Sequence, residues 1–350
     1  MKFQKKIKVT KKISISEKDR TFIIAEVGSN HNQSLTLAKK HIIQAKNAGA
    51  DAVKFQSLNL EETIHRDSID IKTKKLYDKI SFNENWYSQL SKFCKKKDII
   101  FFSTPTYKRS IQILKKINTP IYKIASTNFG FNPKRDLEII NTNKPVLISL
   151  GLSTIEETEK NLRKIKSKNK KIILLHCVSR YPTKIKEINL SQIKQLKEKF
   201  NCLVGFSDHT MSINIPSYAV ACGAKVIEKH FTLSRKLKGP DHFYALEPKG
   251  FKQMVKKIRE TETIFNFKNT KRKKFIKEEK FYRKYFTQKI IVTKNIQKNE
   301  ALKIENLDGL IYEKNKGIDC KEILNLKGLI AKKNIKKNTI LEWKSLKKKI

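Results

Sequence analysis

Two histidines, His209 and His230, stand in the phrases FSDH (206–209) and EKH (228–230), each within two residues of a carboxylate. Imidazole and oxygen donors suit a divalent Lewis acid such as Mn²⁺, Mg²⁺ or Zn²⁺ that polarises a carbonyl, with water in the remaining positions. A hydrogen-bonded pair of structural histidines is the alternative. Lys54 in AVKFQ and Lys123 in YKIAS sit in otherwise apolar runs. An unpaired buried ammonium is costly, so a phosphate or carboxylate is the expected partner; a salt bridge to a neighbouring carboxylate and a Schiff-base role are the alternatives. Thr104, Ser126, Ser149 and Ser207 end similar runs and offer hydroxyls to the same anion. Glu26, in IIAEVG, reads as the carboxylate that handles a proton, unless it pairs with Lys54. Asp241, in GPDH, reads as a ligand for a sugar hydroxyl, as an aid to the metal, or as a turn residue. His176 and Cys177 lack a third partner for a nucleophilic triad and read as core or as support behind the site.

These residues share a position relative to the elements that carry them. Eight short β-rich runs are predicted at 22–28, 52–56, 99–105, 121–126, 145–151, 171–179, 203–209 and 224–231, nearly continuous in apolar character, as in strands buried on both faces. Amphipathic helical stretches separate them, such as LTLAKKHIIQAKNAGA (35–50) and STIEETEKNLRKIK (153–166), the latter with Ser153 or Thr154 as a cap. Eight β-then-α units predict an α/β fold, a (β/α)8 TIM barrel, and the polar residues above cluster at strand C-termini, with Asp241 on the loop after the eighth, the face where such barrels keep their sites.

The chain has 350 residues, enough for one large barrel and a small second domain. Expected boundaries are an N-terminal hairpin over 1–20 plugging the barrel bottom, the barrel over 21–265, a charged linker over 266–286, and a small β-rich module over 287–350. That module carries two echoing phrases, IIVTKNIQKNEALKIENL and LIAKKNIKKNTILEWKSL. The net charge of +44 comes from 77 basic residues against 33 acidic ones, but only ten of the basic residues are arginine. Lysine on solvated helix faces, without Arg-rich or aromatic-interleaved stripes, argues against specific nucleic-acid binding. No run approaches a membrane span, no secretory leader is evident, and five scattered cysteines suggest neither a disulfide framework nor a thiolate metal site; a cytoplasmic address is expected.

The phrases IIAEVGSNHNQ, AGADAVKFQ, FFSTP, YKIAS, LHCVSRYPT, GFSDHT, GAKVIEKHFTLSR and GPDHFYALEP, in this order across the whole barrel, resemble the sialic acid synthase family, the N-acetylneuraminate synthases. The tail resembles the antifreeze-like (SAF) domain those synthases carry. The resemblance implies condensation of phosphoenolpyruvate with an N-acylated hexosamine, typically N-acetylmannosamine, to a nonulosonic acid and phosphate, in a homodimer whose small domains cover the partner's barrel mouth. Carried over motif by motif, His209 and His230 become the ligands of a divalent metal, Mn²⁺ foremost. Lys54, Thr104, Lys123, Ser126, Ser149 and Ser207 become phosphoenolpyruvate contacts, Glu26 the catalytic acidic residue, and Gln56, Tyr181 and Asp241 neighbours of the sugar. Departures bear on the sugar. Thr127 and Asn128 stand where many members read Gly-Glu, Ser179 where some have Asn, and Lys314 in IYEKNKGID where an Arg-Pro-Gly phrase is usual. Lysine lacks the fork of that arginine. Legionaminic or pseudaminic acid synthesis from a diacetamido sugar, a synthase of shorter 3-deoxy sugar acids, and a non-catalytic polysaccharide-assembly or polyanion-binding protein are the alternatives.

Overall fold

The computed structural model describes residues 3–165, 167–265, 274–312, 314 and 316–348. The chain divides into two compact units, residues 1–270 and 271–350. In the first, β1 (Lys6–Lys8) and β2 (Ser14–Ser16) pair antiparallel as a hairpin. Eight strands follow: β3 (Phe22–Gly28), β4 (Ala52–Ser57), β5 (Ile100–Pro105), β6 (Tyr122–Ile124), β7 (Val146–Ser149), β8 (Ile172–Cys177), β9 (Leu203–Asp208) and β10 (Val226–His230). Their pairing is parallel throughout in the order β5-β4-β3-β10-β9-β8-β7-β6, and the edge strands β5 and β6 lie side by side. Helices alternate with them, which is a (β/α)8 barrel. Helix Leu35–Asn47 starts on Ser34, whose side chain accepts from the Leu37 N–H, and helix Ile155–Lys164 starts on a Thr154/Glu157 capping box.

Alternation along each strand sends every second side chain inward. Near the strand N-termini the inward residues are apolar, including Ile24, Ala52, Phe102, Leu147, Leu175 and Val226. Two residues further on, the same inward positions carry Glu26, Lys54, Thr104, Ser149, Cys177 and Glu228. The barrel interior is thus an apolar plug below and a polar layer above. The hairpin completes the plug, with Ile7, Val9 and Ile15 in the same cluster; Met1 and Lys2 of the 1–20 segment lie outside the described residues. Ile7 is fully buried, so Ile7→Ala is expected to lower stability by about 2–5 kcal/mol, read as an earlier denaturant midpoint. An unchanged midpoint would show that the hairpin is not part of the barrel's core.

Residues 266–273 of the expected linker lie outside the described residues, and the remainder is not plain linker. Lys277–Tyr285 is helical, opened by Glu279 accepting from the Ile276 N–H. Its acidic first turn and basic last turn favour the helix, a signal hidden by the overall charge density. Further along the second unit, β11 (Gln288–Val292) pairs with β12 (Leu307–Ile311) and β13 (Ile330–Ala331) with β14 (Leu346–Lys347), all antiparallel. The echoing phrases are related at an offset of 39 residues. Ile296 bridges Ile335, its own counterpart, and Asn299 and Asn338 share a left-handed conformation. Both halves feed one core that includes Ile290, Val292, Leu302, Leu326 and Leu341.

Candidate active site

The polar layer at the barrel mouth is built by neighbouring strands whose register sets polar residues side by side. Glu26 is paired in register with Lys54 and with His230, Gln56 with Thr104, and Ser207 with both Cys177 and Glu228. Lys54 Nζ lies 2.8 Å from Glu26 Oε1 and donates to Thr104 Oγ1 at 3.0 Å, with Glu228 Oε1 at 3.7 Å. Lys123 Nζ meets Glu228 Oε1 at 3.2 Å, and Ser207 Oγ donates to the same oxygen at 3.0 Å. Gln56 Nε2 donates to Glu26 Oε1 at 2.9 Å. The resting site shows the salt-bridge alternative for both lysines, including the Glu26–Lys54 pair: two ammonium and two carboxylate groups, all buried, offset one another. Removing four charges from water demands that balance.

The balance is uneven in a useful way. Burial would depress Lys54, but the Glu228 and Glu26 carboxylates outweigh it and raise its pKa. Lys123 has Glu228 as its main counter-charge, and burial holds it below the ordinary lysine value. For Glu26 burial prevails over Lys54 and, with repulsion from Glu228, raises the carboxyl. Burial acts the same way on Glu228, yet Lys123 and Lys54 overcome it and hold that carboxyl low.

Several buried polar atoms in this layer have no partner among the described residues: Glu26 Oε2, Glu228 Oε2, Ser149 Oγ, Ser179 Oγ and His230 Nδ1. Buried groups of this kind are rare unless a ligand completes them. Gly151 makes room for them. A side chain at its Cβ would lie 3.0 Å from Ser126 Oγ and 3.1 Å from Cys177 Sγ and would collide with Ser179 Oγ, so its bare backbone leaves a cradle lined by hydroxyls. Ser126 Oγ accepts from the Gly151 N–H at 2.9 Å.

Beside this cradle the rings of His209 and His230 lie 5.5 Å apart. Burial holds both imidazoles neutral, pulling each down to about 3. His209 Nδ1 lies 2.8 Å from the Val178 carbonyl, so it carries the proton and donates, leaving Nε2 as a free lone pair. No cluster of three or more His, Cys, Asp or Glu that could hold a metal occurs among the described residues. A divalent ion at this mouth would have the two imidazoles as its protein nitrogen ligands and would take its remaining positions from oxygens of substrate or water. Tyr181 packs its ring on His209 at 4.1 Å and faces Tyr244 at 5.5 Å.

Asp241 lies at the barrel mouth, beside Gly28 and near Glu26 and Gln56. Its carboxylate accepts from Tyr244 Oη at 2.8 Å and Ser29 Oγ at 3.1 Å. At Gly28, whose φ is +54°, a Cβ would lie 3.3 Å from Asp241 Oδ2 and 3.5 Å from Glu26 Oε1, so the glycine keeps the space between these two carboxylates open. His176 faces away from the interior, its Nε2 2.6 Å from the Ile188 carbonyl, whereas Cys177 faces in, 3.8 Å from His209 Nδ1. Lys314 is exposed on the second unit, and Glu313 and Asn315 beside it lie outside the described residues; the barrel itself positions the other residues named from sequence. Sequence reasoning assigned no role to Glu228, the acceptor shared by both lysines, nor to Tyr244. Glu228 carries a legible signal, since it precedes His230 by two residues on a strand and must share its inward face. All five cysteines are free, and no described helix is long and apolar enough to cross a membrane.

Comparison with known proteins bears on this geometry. A family model described as the NeuB family matches residues 41–270. Pseudaminic acid synthase of Campylobacter jejuni is 35% identical over 330 residues, covering 91% of this chain and 94% of that protein. N,N'-diacetyllegionaminic acid synthase of the same organism is 34% identical over 339 residues, covering 92% and 99%. Among solved structures, the N-acetylneuraminic acid synthetase of Leptospira borgpetersenii, crystallised with citrate, is similar with a TM-score of 0.74 and 33% identity, over 81% of this chain and 98% of that one.

Proposed function

The chain belongs to the NeuB family, the phosphoenolpyruvate-dependent nonulosonic acid synthases, and from that premise we propose that it condenses phosphoenolpyruvate with an N-acylated hexosamine and water. The products are a nine-carbon 2-keto sugar acid and inorganic phosphate. The observation that carries the reading is the buried Lys54/Lys123 pair with its ring of hydroxyls, those of Ser149 and Ser179 without a partner, set beside two neutral histidines.

In this reading Lys54 and Lys123 bind the carboxylate and phosphate of phosphoenolpyruvate, Thr104, Ser126, Ser149 and Ser179 donate to its oxygens, and Ser207 lines the same site with its proton on Glu228. A divalent ion held by His209 and His230, with Mn²⁺ as the proposed metal, would polarise the open-chain aldehyde of the sugar. C3 of phosphoenolpyruvate forms the new bond to the aldehyde carbon, whose oxygen takes a proton to become a hydroxyl. Water adds at C2, and collapse of that tetrahedral centre to the ketone releases the C2 hydroxyl proton and breaks the C2–O bond to phosphate. Glu26 takes the proton of that water on Oε2, the oxygen with no partner in the resting site. Gln56 steadies the other oxygen, and Tyr181, its ring tilted against His209, walls the sugar side.

N-acetylmannosamine is the proposed sugar. A diacetamido hexose is the second reading, supported by the pseudaminic and legionaminic synthases among the similar proteins and by Asn128 in place of a family glutamate. The second unit is proposed to be an antifreeze-like domain and the protein a cytoplasmic homodimer, the latter open to sedimentation analysis. The deciding assay incubates purified protein with phosphoenolpyruvate, Mn²⁺ and one N-acylated hexosamine at a time, following phosphate release and product mass. Release with N-acetylmannosamine is expected; release only with diacetamido sugars transfers the assignment to the second reading. No release across the panel from folded, metal-loaded protein would sink the synthase reading. Chelation is expected to stop turnover and added Mn²⁺ to restore it.

A further inference from the structure

Behind the two histidines, on the outer face of the barrel wall, lies an ion pair that takes no part in the steps above. Asp208 ends β9 and Lys229 lies directly opposite it on β10. Both side chains are essentially inaccessible, 0% and 1% exposed, and Lys229 Nζ is 2.6 Å from Asp208 Oδ2. The neighbouring outward residues on these strands, Val204, Phe206, Ile227 and Phe231, belong to the apolar layer under the helices. A well-packed apolar pair would serve that layer at least as well, because desolvating two charges offsets most of their attraction.

What the pair does that an apolar pair cannot is hold backbone. Asp208 accepts from the Thr210 N–H at 2.9 Å and from Thr210 Oγ1 at 3.1 Å. Lys229 donates to the Thr210 carbonyl at 2.5 Å and to Thr210 Oγ1 at 3.3 Å. His209 is the residue between Asp208 and Thr210, and His230 directly follows Lys229. The clamp therefore grips the chain on both sides of one imidazole and ties it to the residue before the other. Strand β9 has ended at Asp208, so ladder bonds no longer set the position of His209 relative to β10.

We propose that Asp208, Lys229 and Thr210 form a positioning clamp that sets the spacing of His209 and His230 for one divalent ion. This rests on the two-histidine metal reading above. The test uses the full chain and measures Mn²⁺ binding by electron paramagnetic resonance, alongside the thermal midpoint and the KM values. Replacing the pair together, Asp208→Leu with Lys229→Met, is expected to keep the thermal midpoint near that of the parent while Mn²⁺ affinity falls by about 10- to 100-fold, the range for groups that orient metal ligands. KM for phosphoenolpyruvate is expected to change by less than Mn²⁺ affinity, because Lys54 and Lys123 are on other strands and Ser207 and Glu228 face the opposite side of the wall from Asp208 and Lys229. Unchanged Mn²⁺ affinity in the folded double variant would overturn the clamp. Should that variant fail to fold, Asp208→Asn with Lys229→Met decides: it keeps an acceptor for the Thr210 N–H but cuts the tie from β10 to the Thr210 carbonyl, and weaker Mn²⁺ binding at an unchanged midpoint supports the clamp, whereas unaltered binding overturns it. The underlying metal reading fails separately, if parent and a His209→Ala, His230→Ala variant give the same Mn²⁺ signal.

Discussion

Lys123→Met is expected to damage the protein twice, once in stability and once in substrate binding. Glu228 Oε1 is held by Lys123 at 3.2 Å and Ser207 at 3.0 Å, with Lys54 further off at 3.7 Å, and Oε2 has no partner. Removing the nearer ammonium leaves a buried carboxylate poorly compensated, which costs about 3–5 kcal/mol. Adding Glu228→Gln to that variant removes the stranded charge, so the double variant should regain most of the lost stability in denaturant titration. It should not regain function. Losing one partner of a buried charged contact to an anionic substrate costs about 2–5 kcal/mol, so KM for phosphoenolpyruvate is expected to rise by about 30-fold or more in the single and double variants alike. A double variant with parental KM would show that Lys123 serves the fold alone.

Glu26→Gln is expected to separate chemistry from binding. The amide keeps the shape of the carboxyl and still offers an oxygen to Lys54, so the fold and the anion site should persist. The proton acceptor is lost, and kcat is expected to fall by about 10²- to 10⁴-fold. KM for phosphoenolpyruvate should stay level or fall, because Lys54 no longer has a carboxylate competing at 2.8 Å. Phosphate-release kinetics at saturating sugar read both constants. A fall in kcat within tenfold would remove Glu26 from the proton-transfer step; a large rise in KM with kcat intact would recast it as a binding residue.

Much of the barrel was legible because its signals are local. Phe22–Gly28 and Leu203–Asp208 were predicted to within a residue, since a parallel strand buried on both faces must be a short apolar run. The helix at Lys277–Tyr285 was not, because its stabilising charges sit inside a tract whose overall charge resembles a linker. Within the site, Lys54, Lys123, Glu26 and the hydroxyls stood out as polar residues in apolar runs. Asp241 was read among sugar ligands and turn residues together; only the folded chain brings Tyr244 and Ser29 to its two oxygens.

The amino-acid order by itself determined which residues can do chemistry and at which end of each strand they sit, because the period of two and the polarity switch along each strand are written within a few residues. Beyond the Glu26–Lys54 pair, which the sequence already offered as an alternative, partner choice was decided by the tertiary structure. Lys54 and Glu228 are 174 positions apart in sequence yet 3.7 Å apart in space, and Asp208 faces Lys229 only through the register of β9 against β10. Charge pairing in a closed barrel depends on strand order and stagger, which are properties of all eight strands together.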